Sequence, residues 1–253
     1  CFMKDIKSNL IFDSSICNPI VTIPIPTYKR EQLLQEAIES ALHQDSYTGA
    51  YDIIVVENNP ERDDDTETSM DRYRDNPKVA YYKNEENLGQ AGNWNRLYEL
   101  AKGDYVVMLH DDDMLFPFYL QALFSLLMQT DNQFELVYPS FLFSKERTVP
   151  TVETPSKLKY RVFKREDYIV RQWGIPSGMM ILKKKFGITG GFNVDFYPII
   201  DQEFIYRALG YLKGCVVYYP IVFYYIGVNE SMKPDTAKDI VYKSRMFNHL
   251  MRK

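Results

Sequence analysis

An α/β fold with a mainly parallel central sheet, flanked by helices, is predicted by three observations. Short β-branched apolar runs recur along the first half of the chain, amphipathic helical repeats separate them, and each run ends in a polar cluster. Strands that alternate with helices are joined by crossovers, and crossover connections make neighbouring strands parallel. In such sheets ligands bind outside the carboxyl ends of the strands.

The elements follow in order. The segment IVTIPIP at 20–26 reads as a buried strand that runs into a loop at its proline. After it Leu33, Leu34, Ala37, Ile38, Ala41 and Leu42 repeat at helical spacing between glutamates and glutamines, which predicts a helix with one core face. YDIIVVENN at 51–59 is a second buried strand, and the acidic stretch after it reads as a solvated loop with a short exposed helix. KVAYYK at 78–83 is a third strand. In the helix after it Ala91, Trp94, Tyr98 and Ala101 share a face, and Gly103 suits the position beyond a helix end. DYVVML at 104–109 is a fourth strand, running into His110, Asp111, Asp112 and Asp113.

Residues 144–167 read as a charged, loop-rich connection. Beyond them a strand leads into the glycine turn GITGGF, then a helix with Phe204, Ile205, Ala208 and Leu209 inward. CVVYYPIVFYYIGV at 215–228 is shorter than the about 20 residues that cross a bilayer, and Pro220 interrupts it, so it reads as a buried strand.

Composition narrows the function classes. With 253 residues, 45% hydrophobic and 25% charged, the chain can bury a sizeable core in one large domain or two small ones. A net charge of -4 argues against a broad nucleic-acid surface, which needs clustered Lys and Arg. Cys1, Cys17 and Cys215 form no CxxC pair, so a reducing compartment is expected and a disulfide scaffold is not. No basic region followed by an apolar one opens the chain.

The residues with chemistry cluster after the strands: PTYKR after the first, ENN after the second, HDDD after the fourth. Crowded carboxylates without cysteine make a hard oxygen site suited to Mg²⁺ or Mn²⁺. The plain alternative is a solvated turn, or a cap for the helix after Pro117. Thr27 can likewise cap the first long helix, Trp94 fits the core of its own helix, and Asp201 can cap the helix that it opens.

Taken in order, VTIPIPTYKR, DIIVVENN, NLGQAGNWN, GDYVVMLHDDDMLFP and GGFNVDFYPIIDQEF resemble the inverting glycosyltransferases of glycosyltransferase family 2, which have the GT-A fold. The likeness covers roughly residues 20–230. It implies one GT-A domain over residues 1–253, with about 20–130 holding the nucleotide sugar and about 131–253 the acceptor. Asp112 is then the metal residue and Asp111 the contact to the donor ribose or diphosphate, with Asp113 either orienting them or capping. His110 stands where the family has an Asp, and neutral imidazole is itself a potential ligand.

The same resemblance puts Pro26, Thr27 and Tyr28 against the base and Glu57 on the nucleoside. It matches Asn87, Gly89 and Asn95 to the family's Asn, Gly and Asn, with Gly89 in a left-handed turn. Asn93 and Trp94 stand where Ala-Arg is frequent, so a donor contact through an arginine is lost or moved. Asp201 becomes the base that takes the acceptor proton, and Ile200 replaces the family's Glu, leaving Glu203 or Asp195 to support it. Asn229 and Ser231 match weakly a loop over the donor. The QxxRW motif of processive synthases is absent, since RQWG at 171–174 is only superficially similar.

The implied activity is transfer of one sugar, with inversion, from a nucleotide diphosphate sugar, a uridine one first, to a hydroxyl of a glycan or lipid-linked glycan. Mn²⁺ or Mg²⁺ is the implied cofactor. The implied setting is the cytoplasm or the inner face of a bacterial cell membrane, with peripheral contact there and no nucleic-acid partner. Two rivals stand beside this reading: a sugar nucleotidyltransferase, which would want a glycine-rich loop that PTYKR lacks, and a non-catalytic protein that keeps the nucleotide pocket.

Overall fold

In the computed structural model, residues 6–15, 18–61, 63–170, 175–227 and 233–251 are described. Cys1, Cys17, the RQWG segment at 171–174, Asn229 and Ser231 lie outside the described residues.

The chain opens with strand β1 (Ser8–Asp13), then β2 (Val21–Thr27), α1 (Glu31–Leu42), β3 (Tyr51–Glu57), α2 (Thr66–Met70), β4 (Val79–Asn84), α3 (Gly89–Leu100) and β5 (Tyr105–Met108). It continues with β6 (Met114–Leu115), α4 (Tyr119–Gln129), β7 (Leu136–Ser144), β8 (Tyr160–Phe163), α5 (Arg165–Val170), β9 (Met179–Leu182), α6 (Lys183–Thr189), α7 (Ile200–Ala208), β10 (Gly214–Tyr225) and α8 (Pro234–Met251).

One ten-stranded sheet results, in the order β1-β4-β3-β2-β5-β9-β7-β10-β6, with β8 also on β10. The run β4-β3-β2-β5 is parallel, as its crossover helices require. β9 enters antiparallel between β5 and β7. Every residue of β2 and β3 is buried, the signature of strands covered on both faces. Alternation sorts their side chains. Ile53 and Val55 join a layer with Leu34, Ala37 and Ile38 of α1, whereas Ile54 and Val56 pack with Trp94, Leu97 and Tyr98 of α3.

Two prolines in a central strand call for an explanation, because proline cannot donate to the ladder. The β2–β5 pairing covers only Val21 and Thr22. Leu109 N–H reaches the Pro24 carbonyl at 3.0 Å, so Pro24 turns its missing donor toward the same side. The carboxyl end of β2 beside β5 is the topological switch point, since β3 and β4 lie to one side of β2 and β5 to the other.

Gly103 lies beyond the end of α3, as expected, and a Cβ on it would sit 2.6 Å from Thr22 N, so close backbone approach demands the glycine. Two expectations change. Residues 144–167 are not loop throughout, since β7 extends to Ser144, β8 pairs with β10 and α5 starts at Arg165. The turn at GITGGF follows a short helix, α6, with Gly190 and Gly191 both at positive φ. Among the described residues no helix is long and apolar enough to cross a membrane, and β10 is a strand as expected.

Candidate active site

The carboxyl ends of β2, β3 and β5 bring the polar clusters together. β5 stops at Met108, and a turn closed by Asp113 N–H to the His110 carbonyl (3.2 Å) carries the three aspartates beside the end of β2. All three are buried. Repulsion at such spacing has to be offset, and the offsets are specific.

Asp111 accepts the Thr27 hydroxyl at 2.9 Å and the Tyr28 backbone N–H. The Arg30 guanidinium lies 2.8 Å from Asp112 Oδ2 and 3.5 Å from Asp111 Oδ1, a cation bridging two carboxylates. Asp113 accepts the Tyr225 backbone N–H at 3.2 Å and is stabilised by Ser177. Burial and the neighbouring Asp112 still raise the pKa of Asp111 and of Asp113. Arg147 grips the turn from outside, donating to the Asp112 carbonyl at 3.0 Å and to Glu36 of α1, while lying over the Tyr225 ring.

His110 stacks on Trp94, with ring centroids 5.2 Å apart, and its backbone N–H donates to Ser177 Oγ at 3.1 Å. Burial holds its imidazole down at about 4, so the ring is neutral at pH 7. Its Nε2 and Asp113 Oδ2 are both buried without a hydrogen-bond partner. One ligand atom each from His110, Asp112 and Asp113 fall within 4.8 Å of one another. Two unpartnered buried polar atoms on residues of this cluster fit a divalent cation, because leaving such atoms unmet is otherwise costly.

Of the residues expected on the base, Pro26 and Thr27 are buried inside β2, while Tyr28 is 46% exposed and open to a stacking ligand. Thr27 does not cap α1, whose N-cap position is Arg30; its hydroxyl is spent on Asp111. Asp113 does not cap α4 either, since Phe118 holds that position.

Glu57 departs from expectation. It is fully buried, and its oxygens are taken by the Tyr81 hydroxyl and by Lys83 Nζ (3.3 Å), which also meets Glu67. Burial raises its pKa while these two partners draw it back. It lies beneath the open edge, and contact with a nucleoside would require one of them to give way.

Asn95 also departs. It clamps the backbone of Phe192 twice, donating to the carbonyl (2.8 Å) and accepting the N–H (2.7 Å), so its amide is structural. Asn87 and Gly89 stay at the edge: Asn87 accepts from Asn58 and from Gly89 N–H, both at 2.8 Å. Gly89 has φ +67° with open space where a Cβ would stand, as the left-handed turn required. Trp94 is buried in the core between His110 and Phe192.

Asp201 is the second residue of α7 and half-buried, with Oδ1 accepting the Gln202 N–H at 2.7 Å. Burial pushes its carboxyl up to about 7. Neither suggested helper joins it. Glu203 is paired to Arg207 at 2.6 and 2.7 Å, and Asp195 is exposed in a separate turn. Tyr224, near the end of β10, lies in electrostatic range of Asp112, Asp113 and Asp201.

Sequence reasoning assigned nothing to Arg30, Arg147, Ser177 or Tyr224. Arg30 alone had a signal, as the cation ending PTYKR; the other three arrive from distant segments.

Residues 22–187 match the family model described as glycosyl transferase family 2. The chain belongs to glycosyl transferase family 2. Family 2 relatives include an uncharacterized glycosyltransferase of Methanocaldococcus jannaschii, 27% identical over 66% of this chain and 57% of its own. Another is the GalNAc(5)-diNAcBac-PP-undecaprenol beta-1,3-glucosyltransferase of Campylobacter jejuni, 28% identical over 71% and 56%. The chain thus spans about half the length of these curated relatives.

Among solved structures, S. aureus TarS 1-349 in complex with UDP-GlcNAc aligns with a TM-score of 0.69 at 16% identity, covering 88% of this chain and 65% of that one. The mannosyltransferase PcManGT from Pyrobaculum calidifontis, in complex with GDP-Man and Mn2+, gives 0.60 at 17% identity, covering 88% and 61%. These likenesses show the fold, which is GT-A.

Proposed function

We propose that this family 2 chain transfers one sugar, with inversion, from a nucleotide diphosphate sugar to an acceptor hydroxyl. The observation that carries the proposal is the acidic turn after β5, whose three buried aspartates sit beside the end of β2 at the sheet's switch point with Asp111 held by Thr27. In the proposed division one GT-A unit holds the donor with about residues 20–130 and the acceptor with about 131–253.

Tyr28 faces the base, Asn87 and Gly89 border the donor edge, and Asp111 holds the ribose or diphosphate. Asp112 holds Mn²⁺ or Mg²⁺, with the orphaned atoms beside it supporting that assignment. The bound ion supplies positive charge against the negative charge that grows on the leaving diphosphate. Asp201 takes the proton from the acceptor hydroxyl as that oxygen attacks, and a carboxyl poised near 7 is suited to a base working at neutral pH. Arg30 offsets the carboxylates until the donor complex arrives.

A uridine donor is proposed first, because the TarS neighbour carries UDP-GlcNAc. A lipid-linked glycan acceptor at the inner face of a bacterial cell membrane follows the acceptor in the Campylobacter relative's name. The test is a screen of nucleotide sugars with Mn²⁺, followed by NMR of the anomeric configuration of the product. Loss of transfer in Asp112→Ala and Asp201→Asn, with an inverted product from the parent, is the expected result. Retention of configuration, or full turnover in either variant, overturns the proposal.

A further inference from the structure

The acidic turn leaves one feature unused by that mechanism. His110 occupies a place where a hard oxygen site has no need of nitrogen, yet its ring is held as firmly as a ligand's. Trp94 stacks on it at an interplanar angle of 25°, which fixes the ring plane. Its backbone N–H is anchored on Ser177, and the same serine supports Asp113, so one hydroxyl sets the spacing of both residues. Nε2 is left buried with no protein partner, and the same holds for Asp113 Oδ2.

A buried imidazole nitrogen without a partner is an unmet polar atom, and packing alone gives no reason to keep one. One ligand atom each from His110, Asp112 and Asp113 fall within 4.8 Å of one another, so a cation held among these three residues is the partner that this cluster of unmet polar groups fits.

We infer that His110 is a direct ligand, making a mixed nitrogen and oxygen site with Asp112 and Asp113 that favours Mn²⁺ or Co²⁺ over Mg²⁺. The chemistry of the donors sets the preference. Mg²⁺ demands near-ideal octahedral oxygen ligation and gives up its waters reluctantly. Later divalent ions accept imidazole, with affinity rising from Mn²⁺ to Co²⁺. This inference rests on the reading of the turn as a metal site, and is independent of which sugar is moved.

The experiment uses the whole chain with Mn²⁺ and unlabelled UDP. Electron spin-echo envelope modulation is recorded on protein labelled with ¹⁵N only in histidine. The expected result is a ¹⁵N coupling from a coordinated imidazole, kept in His43→Gln, whose side chain is exposed just past α1, and lost in His110→Asp. Calorimetry of the metals alone is expected to show Mn²⁺ bound more tightly than Mg²⁺ by about tenfold, narrowing in His110→Asp to about threefold or less.

Bound Mn²⁺ without histidine coupling overturns the inference and leaves Asp112 as a metal residue. No Mn²⁺ binding, with or without UDP, overturns both. The labelled parent protein decides the matter even where His110→Asp fails to fold.

Discussion

Replacing Asp201 by Asn should make the protein more stable and less active at once, with a size that depends on pH. The carboxyl rises from its ordinary 3.8 to about 7 because burial disfavours its charge. Between those values the folded chain binds more protons than the unfolded one, so stability falls as pH rises through that window. Three pKa units correspond to about 4 kcal/mol at about 1.4 kcal/mol each. Part of the carboxylate faces solvent, so about half of that, ~2 kcal/mol, is the expected cost of the ionised form at pH 8.

Asn cannot ionise and keeps an oxygen for the Gln202 N–H. The parent and Asp201→Asn should therefore unfold alike at pH 4 and diverge steadily to pH 8. There the variant should melt roughly 4–8 °C higher, at about 2–4 °C per kcal/mol for a chain of this size. Calorimetric melts across that range measure the divergence. The transfer rate of the parent should rise along an acid limb near pH 7, and the variant should lose about 10²–10⁴-fold. Parallel stability curves would refute the buried-carboxylate argument; a flat acid limb with normal stability behaviour would refute only the role as base.

Asn95→Ala removes both bonds to Phe192 and should cost about 2 kcal/mol in urea unfolding while donor affinity stays unchanged; weakened donor binding at parent stability would return Asn95 to the donor. Lys83→Met strips a buried partner from Glu57 and should cost about 3 kcal/mol by denaturation at pH 7, so a loss under about 1 kcal/mol would contradict the buried pair. Gly178→Ala should cost about 2 kcal/mol or more in thermal unfolding, because φ is +70° and the new Cβ would meet Val222 Cγ2 at 2.3 Å. Gly187→Ala in α6 meets nothing within 4 Å and should stabilise by roughly 0.5–1 kcal/mol; destabilisation there would count against the helix.

The parallel strands were legible because burial on both faces writes itself as unbroken apolar runs, as in β2 and β3. β8 was hidden by its mostly uncovered face, where Tyr160 and Val162 stay exposed and the hydrophobic period disappears. Within the site, strand ends and family motifs brought the right segments to one edge. Single side-chain contacts were not legible where the partner arrives from a distant segment. Glu57 reads as a free strand-end carboxylate until Tyr81 and Lys83 of β4 come alongside it. Asn95 reads as a donor contact until Phe192, 97 residues away, claims its amide. Arg147 carried no signal, because its three partners lie on α1, on the acidic turn and on β10.

The bond from Tyr225 N–H to Asp113 spans 112 positions of the chain. The strands that make the parallel run, β2 to β5, are complete by Met108, and the aspartates leave the ribosome immediately afterwards. Their final geometry nevertheless waits for the last residue of β10, which also pairs with β6 just past the turn. During synthesis the scaffold thus precedes the finished carboxylate cluster by about half the chain. A nascent polypeptide arrested before position 225 would carry the strands of the parallel run and an acidic turn that still lacks its Tyr225 contact.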